Sequence, residues 1–234
     1  MQTDIMSTPQ QPGKVSVVEV VGVAGAGKST LCQALGEYPK LFRLDNFPDV
    51  RRLENAPFYL GNGLKLIPKL LRLDRSGSRQ LSRREFAWLT ILHGWPTLFR
   101  KARNDGSVII LDQGPIYLMA ELLLFGPEYL RKEAAEFLWQ DLYNQWRDII
   151  TMVVWLDAPD EILLDRIRTR QQDHIVKNQP LQMVVEFLAR YRRQYEVIMA
   201  GLASQANSPK VLRFDTGSLS TQAIARQLPV ELNF

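Results

Sequence analysis

The chain is poor in the residues that build disulfide and metal frameworks. Its 234 residues contain one cysteine and two histidines. A lone Cys32 excludes an intramolecular disulfide framework, and Cys32 with His93 and His174 is too few for a dedicated zinc site. Long hydrophobic runs are also missing: none approaches the ~20 residues that span a bilayer. The first ten residues lack a basic start and an apolar stretch, so no signal peptide is read there and a soluble, cytoplasmic protein is the expectation. Charge of one sign is not concentrated anywhere. The 29 Lys and Arg and 25 Asp and Glu are scattered, and the net +4 gives no argument for a nucleic-acid partner. There is no repeat and no low-complexity linker. The stretch KNQP at 177–180 does not supply the N-K-x-D reader of guanine, which disfavours a guanine-nucleotide switch.

What is present reads as one α/β domain over 14–234 behind a polar N-terminal tail, 1–13, with Pro9, Pro12 and Gly13. Nearly half of the residues are hydrophobic, 46%, enough for a sizeable core. Five short apolar runs recur at 15–21, 41–45, 107–112, 150–157 and 210–215, with helical patterns between them. Strands that alternate with helices and are apolar on both faces predict a parallel sheet covered on both sides.

The most informative stretch is VVEVVGVAGAGKSTLCQAL, residues 17–35. A β-branched run stops at Gly22, and the pattern G-x-x-x-x-G-K-[ST] follows in full before an amphipathic helix. A strand feeding a glycine-rich turn that opens a helix points successive backbone N–H groups inward, and the helix dipole adds to that preference for a polyanion. Gly22, Gly25, Ala26, Gly27, Lys28, Ser29 and Thr30 are therefore the expected nucleotide-binding set. Lys28 reaches the β- and γ-phosphates, and the Ser29 hydroxyl is placed to ligate Mg²⁺. Cys32, just inside the helix, reads as a buried structural thiol.

Further residues suggest where the phosphate goes. SVIILDQGP ends a strand at Asp112, where an acid can hold the Mg²⁺ shell in a Walker-B-like role or cap the helix that begins near Pro115. Asp45 ends strand two, where a carboxylate could orient an acceptor hydroxyl or act as its general base, or simply start an Asx-turn before Pro48. Asp49, beyond Pro48, is a weaker candidate. The irregular, partly helical segment 46–100 lies between strands two and three, so the acceptor is expected there, over the carboxyl edge of the sheet. In DAPDEILLDRIRTRQQDH, 157–174, Pro159 and Asp160 start a helix that Leu163 and Ile167 stripe. Arg166 and Arg170 are expected on one face at i, i+4, with Arg168 pointing elsewhere, to clamp transferring phosphate; the alternative is a solvated face paired with Glu161 and Asp165. His93, among Trp88, Leu92 and Trp95, reads as a core or helix-end histidine, and His174 as surface of the 160–180 region. Arg51, Arg52, Arg79, Arg83 and Arg84 are singly surface residues, and Trp88, Trp95, Phe58 and Tyr59 are core before they are stacking platforms.

These motifs resemble the thymidylate-kinase-like branch of P-loop kinases, which also holds the deoxynucleoside kinases. The resemblance runs from about Val15 to the C-terminal helix, through GVAGAGKST, VIILDQGP, WLDAPDEILLDRIRTR, FLARYRRQYEVIMAGLA and KVLRFDTGSLSTQAIARQL. It implies a three-layer fold with a five-stranded parallel sheet in the order 2-3-1-4-5, an arginine-bearing lid over 160–180, and transfer of the γ-phosphoryl of ATP with Mg²⁺ as cofactor. The chain also departs from the pattern. Gln113 follows the strand-three acid where the family has an arginine for the acceptor phosphate, and LTILHGWP replaces the arginine of the preceding helix. A small-molecule hydroxyl acceptor without a phosphate suits a neutral Gln113 and a nearby Asp45 better. The leading expectation is thus an ATP-dependent small-molecule kinase with Lys28, Asp45, Asp112, Arg166 and Arg170 in the catalytic roles. A nucleoside or nucleoside monophosphate kinase with an unusual acceptor pocket is the alternative, and a nucleotide-switched regulatory module the alternative of another class. The sequence leaves a homodimer open.

Overall fold

The computed structural model of the chain describes residues 16–101, 106–171, 174–203 and 208–232. The expected tail, 1–13, lies outside them. The apolar runs form β1 (Ser16–Gly22), β2 (Phe42–Asp45), β3 (Val108–Leu111), β4 (Ile150–Asp157) and β5 (Lys210–Asp215). All pair in parallel, in the order β2-β3-β1-β4-β5. The central strands explain their composition: β3 is buried throughout, and β1 from Val17 to Gly22, because helices cover both faces. The edge strand β5 alternates between exposed and half-buried side chains instead.

Among the described residues eight α-helices flank the strands: α1 (Lys28–Gly36), α2 (Ala56–Leu71), α3 (Arg83–Lys101), α4 (Pro115–Phe125), α5 (Glu136–Arg147), α6 (Asp160–Thr169), α7 (Leu181–Ala203) and α8 (Thr221–Glu231). More of the 46–100 segment is helical than the sequence pattern suggested. α2 begins at Ala56, eight residues before Leu64, because Pro57 falls in its first turn, where a missing N–H costs nothing. α8 starts at an ordinary cap, the Ser220 hydroxyl accepting the Ala223 N–H at 3.2 Å. Trp95 and Phe99 each pack edge-on against Trp146 in a core between α3 and α5, and the Trp146 indole donates to the Leu92 carbonyl at 2.9 Å. Trp95 is therefore core, as expected. Among the described residues no helix is long and apolar enough to cross a membrane.

The strand order places the site. From β1 the chain moves through α1 to the β2 edge and returns to β3; it then crosses to β4 on the opposite side of β1. The turns at the carboxyl ends of β1, β3, β4 and β5 converge at that switch point, where an open α/β sheet leaves a crevice.

Candidate active site

The glycines after β1 are set by close packing. Gly25 takes φ +82°, and a Cβ there would stand 2.9 Å from the Leu163 carbonyl oxygen on α6. At Gly22 a Cβ would meet the Leu156 carbonyl oxygen of β4 at 2.3 Å. The turn is thus pressed against β4 and α6, and α1 opens at Lys28 with no side chain capping its first N–H groups. Ala26 is fully buried beneath the turn. The Lys28 ammonium folds back over it, donating to the carbonyls of Gly22 at 2.8 Å and Val23 at 3.1 Å. Burial lowers its pKa, and the charge of Asp112 opposes that shift. Cys32 is buried as expected, its thiol pushed up to about 12 by desolvation.

The Ser29 hydroxyl donates to Asp112 Oδ2 at 3.0 Å, across 83 residues of sequence. Asp112 Oδ1 is buried without a hydrogen-bond partner. The alternative of a helix cap is taken by a different acid. Glu19, fully buried in the middle of β1, accepts the N–H groups of Ile116 and Tyr117, each at 3.0 Å, at the start of α4. Its carboxyl is pushed up to about 8 by burial, against the pull of those backbone donors. A Cβ on Gly114 would collide with the Glu19 side chain at 2.5 Å, so Glu19 and Gly114 together fix the turn that carries Asp112 and Gln113. The signal for Glu19 was a lone charge inside an apolar strand, which a buried carboxylate requires a specific partner to tolerate.

Lys28, Ser29 and Asp112 open onto a cavity of about 720 Å³. Arg166 and Arg170 both line it, but differently from the sequence expectation. α6 ends at Thr169, and Arg170 is already extended at ψ 148°, so the two are not rungs on one helix face. Arg166 is held by the protein: it donates to Gly25 O at 3.3 Å, Thr216 Oγ1 at 2.9 Å and Thr216 O at 2.8 Å. It ties α6 to the glycine turn and to the connection after β5; no ion pair links it to Glu161 or Asp165 among the described residues. Arg170 has a buried Nε with no partner.

Sequence reasoning missed the aromatic wall of the cavity. Phe187, Tyr191 and Tyr195 recur at i, i+4 and i+8 on α7, and Tyr117 faces them from α4. That spacing is visible in FLARYRRQYEV, yet it reads equally well as core. The Tyr191 hydroxyl donates to Glu121, and burial pushes the Tyr117 phenol up to about 12. His174 also lines the cavity, edge-on to Phe187 at 5.6 Å, with its pKa lowered by burial and by the charges of Arg170 and Lys28.

Asp45 stands elsewhere on the same sheet edge. It is opposite Leu111, its Oδ1 accepts the Asn46 N–H at 2.9 Å, and it is not among the described residues that line the cavity. The same holds for all of 46–100. Asp49 accepts the Arg51 N–H in a local turn, Arg52 pairs with Glu54, and Arg79 makes a bidentate pair with Glu85. Arg84 lies over the Trp88 ring at 4.4 Å. Half-buried His93 sits 3.9 Å from Asp141, away from the cavity.

No protein-family model and no curated protein matches the chain by sequence. Solved structures do match it. The thymidylate kinase of Candida albicans is 19% identical at a TM-score of 0.54, over 94% of this chain and 92% of that one. The YorR protein of Bacillus subtilis, solved in complex with phosphorylated GDP, is 15% identical at 0.52, over 93% of this chain and 96% of that one. Deoxyadenosine kinase of M. mycoides with bound dATP is 14% identical at 0.50, over 93% and 100%. These likenesses, with the strand order β2-β3-β1-β4-β5, show that the chain has a P-loop kinase-like fold.

Proposed function

We propose that the protein is an ATP-dependent phosphotransferase that moves the γ-phosphoryl group to a hydroxyl of a small molecule. The observation that carries this reading is the Ser29–Asp112 contact at the mouth of the glycine turn, inside a cavity that also holds Lys28 and Arg170. The uncapped N–H groups of α1 and the Lys28 ammonium suit the β- and γ-phosphates of a nucleotide. Oxygen donors alone, a hydroxyl and a carboxylate with one buried oxygen still free, fit Mg²⁺, which is bound by one or two protein oxygens together with substrate phosphates. When bound, Mg²⁺ would neutralise charge that develops between the β- and γ-oxygens.

The chain's own residues then do three things. Lys28 and the turn amides hold the donor. The unpartnered Arg170 Nε meets charge on the group in flight, while Arg166 keeps the glycine turn and the Thr216 connection in register. Gln113 and Tyr117 face the aromatic wall, where the acceptor is held with its hydroxyl toward the phosphorus. Phosphoryl transfer of this kind depends on positioning and charge more than on deprotonation, so Asp45 is assigned no contact with the transferring group. A second reading, a nucleoside kinase, is favoured by the aromatic side chains of Tyr117, Phe187 and Tyr191 that line the cavity. A screen of sugars, amino-alcohols, nucleosides and nucleotides for acceptor-dependent ADP release tests both. Release that rises with one hydroxyl acceptor supports the proposal, and slow release that no acceptor changes contradicts it.

A further inference from the structure

The aromatic side chains beside the glycine turn continue outward to the surface. On α7, Met183, Phe187, Tyr191 and Tyr195 are spaced by four, so they lie along one face of the helix. Exposure falls inward along that stripe: Met183 is 54% exposed, Tyr191 9% and Tyr195 1%. The rings touch in sequence. Tyr195 meets Tyr191 at 6.0 Å between centroids, Tyr191 meets Phe187 at 4.9 Å, and Phe187 meets Phe125 of α4 at 6.4 Å. The inner end of this track is at the glycine turn, where the Tyr195 hydroxyl donates to Gly22 O at 3.4 Å. Its outer end is Phe125, 43% exposed. Ile175, the neighbour of cavity-lining His174, is more exposed still, at 73%.

Little on the track can replace the water around a polar body. The Tyr191 hydroxyl donates to Glu121, and the Tyr117 hydroxyl is bonded to the same carboxylate. His174 stands edge-on to Phe187 with its pKa lowered, so its ring is neutral at pH 7. A sugar laid over these rings would give up water without hydrogen bonds in return, whereas a hydrocarbon gains from the same burial. The ring planes add a second constraint. Tyr195 to Tyr191 and Tyr191 to Phe187 are tilted by 54° and 53°. Tilted faces in series suit a flexible chain better than a flat base, which stacks against parallel planes.

We propose that this track is the subsite for the body of the acceptor, and that the acceptor is a primary alcohol on a flexible apolar body. Its hydroxyl points inward to the glycine turn, and its hydrocarbon runs outward past Phe187 to Phe125. The chemistry at that hydroxyl rests on the phosphotransferase reading: the alcohol oxygen bonds to the γ-phosphorus as the bond to the bridging oxygen breaks, ADP leaves, and the hydroxyl proton is released to water.

The test is acceptor-dependent ADP release by the full chain with 1-butanol, 1-hexanol and 1-octanol, and with ribose and thymidine as polar comparisons. Each CH₂ that leaves water should raise kcat/KM about threefold to fourfold, so 1-octanol should exceed 1-butanol by about 100-fold. Phe125→Ser should lower kcat/KM for 1-octanol at least ~10-fold more than for 1-butanol, while Tm falls by only a few degrees because the position is partly exposed. Met183→Ser, at another exposed position, should act in the same direction more weakly. Equilibrium dialysis of labelled 1-octanol without nucleotide reads the subsite apart from the chemistry, and the wild-type chain should bind at least ~10-fold more tightly than Phe125→Ser. Binding with that dependence but transfer to no compound upholds the track and overturns the phosphotransferase reading instead. Transfer to ribose or thymidine above every alcohol overturns the proposal. So does a kcat/KM that does not rise along the series, or 1-octanol binding that both substitutions leave intact.

Discussion

Replacing Glu19 by glutamine tests whether a buried acid organises the turn behind the cavity. Its two carboxyl oxygens accept the N–H groups of Ile116 and Tyr117 at 3.0 Å each. A glutamine can offer one acceptor oxygen there and turns a donor toward the other N–H. One buried backbone N–H then loses its acceptor, at a cost of about 1–3 kcal/mol. The pH dependence is the sharper part. Burial raises this carboxyl from 4.5 to about 8, so between those values the folded chain holds a proton that the unfolded chain has released. Stability from this group is therefore full below pH ~4.5 and is lost as pH rises toward the folded value, at ~1.4 kcal/mol per unit. Glutamine does not titrate. The stability advantage of the wild-type chain over Glu19→Gln should thus be largest near pH 5 and should shrink by a few kcal/mol toward pH 8. Urea unfolding followed by tryptophan fluorescence at several pH values reads this difference directly. A gap that is constant with pH would refute the raised pKa. A gap that widens with pH would mean that the two backbone donors outweigh burial and that Glu19 is ionised in the fold.

Other predictions concern the cavity. If Arg170 acts as proposed, Arg170→Ala should lower kcat by about 10–100-fold with a smaller change in the KM for ATP and no change in Tm, since its Nε has no hydrogen-bond partner in the protein to lose. Arg166→Ala should lower kcat and also cost about 1–3 kcal/mol in stability, because three acceptors on Gly25 and Thr216 lose their donor; equal thermal stability of the two variants would contradict the division of roles. Asp45→Asn should keep most of kcat, since its Oδ1 serves the Asn46 N–H and the residue is outside the cavity lining; a loss beyond about 100-fold would restore it as an acceptor base. Thymidine monophosphate should be a poor acceptor, with kcat/KM well below ~10⁴ M⁻¹s⁻¹, because Gln113 offers a neutral amide to a dianion; a value at or above that level would refute the argument.

The sheet was legible because its signals are local. β4 and β5 have the bounds that the apolar runs predicted, and the other three strands differ by a residue or two. The glycine turn was equally plain, since Gly25 and Gly27 need a positive φ that few other residues tolerate. Asp112 was legible as a candidate for the metal shell or a helix cap, and the structure sets its Oδ2 3.0 Å from the Ser29 hydroxyl. What the sequence hid was set by long-range contact. Arg166 and Arg170 have helical spacing, but α6 stops at Thr169 and separates them. The segment 46–100 carries the irregular sequence, yet none of it lines the cavity beside the glycine turn; regular helices α4 and α7 wall that cavity, and their aromatic spacing is that of ordinary core. Glu19 shows as a lone charge in an apolar strand, but its partners were hidden for the same reason: they are backbone N–H groups nearly a hundred residues away, which have no signature in the sequence.

We propose that this cavity transfers the terminal phosphoryl group of ATP, and following that group tests the proposal most directly. With Mg·ATP labelled at the γ-phosphorus and a hydroxyl acceptor found by screening, the label should appear on the acceptor in step with ADP. Little label should be released as free phosphate when the acceptor is left out. Lys28→Ala, folded to the same Tm, should lose at least ~100-fold of that transfer. Label that appears only as free phosphate at a rate no acceptor changes, or a folded Lys28→Ala chain that transfers as fast as the wild type, would contradict the account.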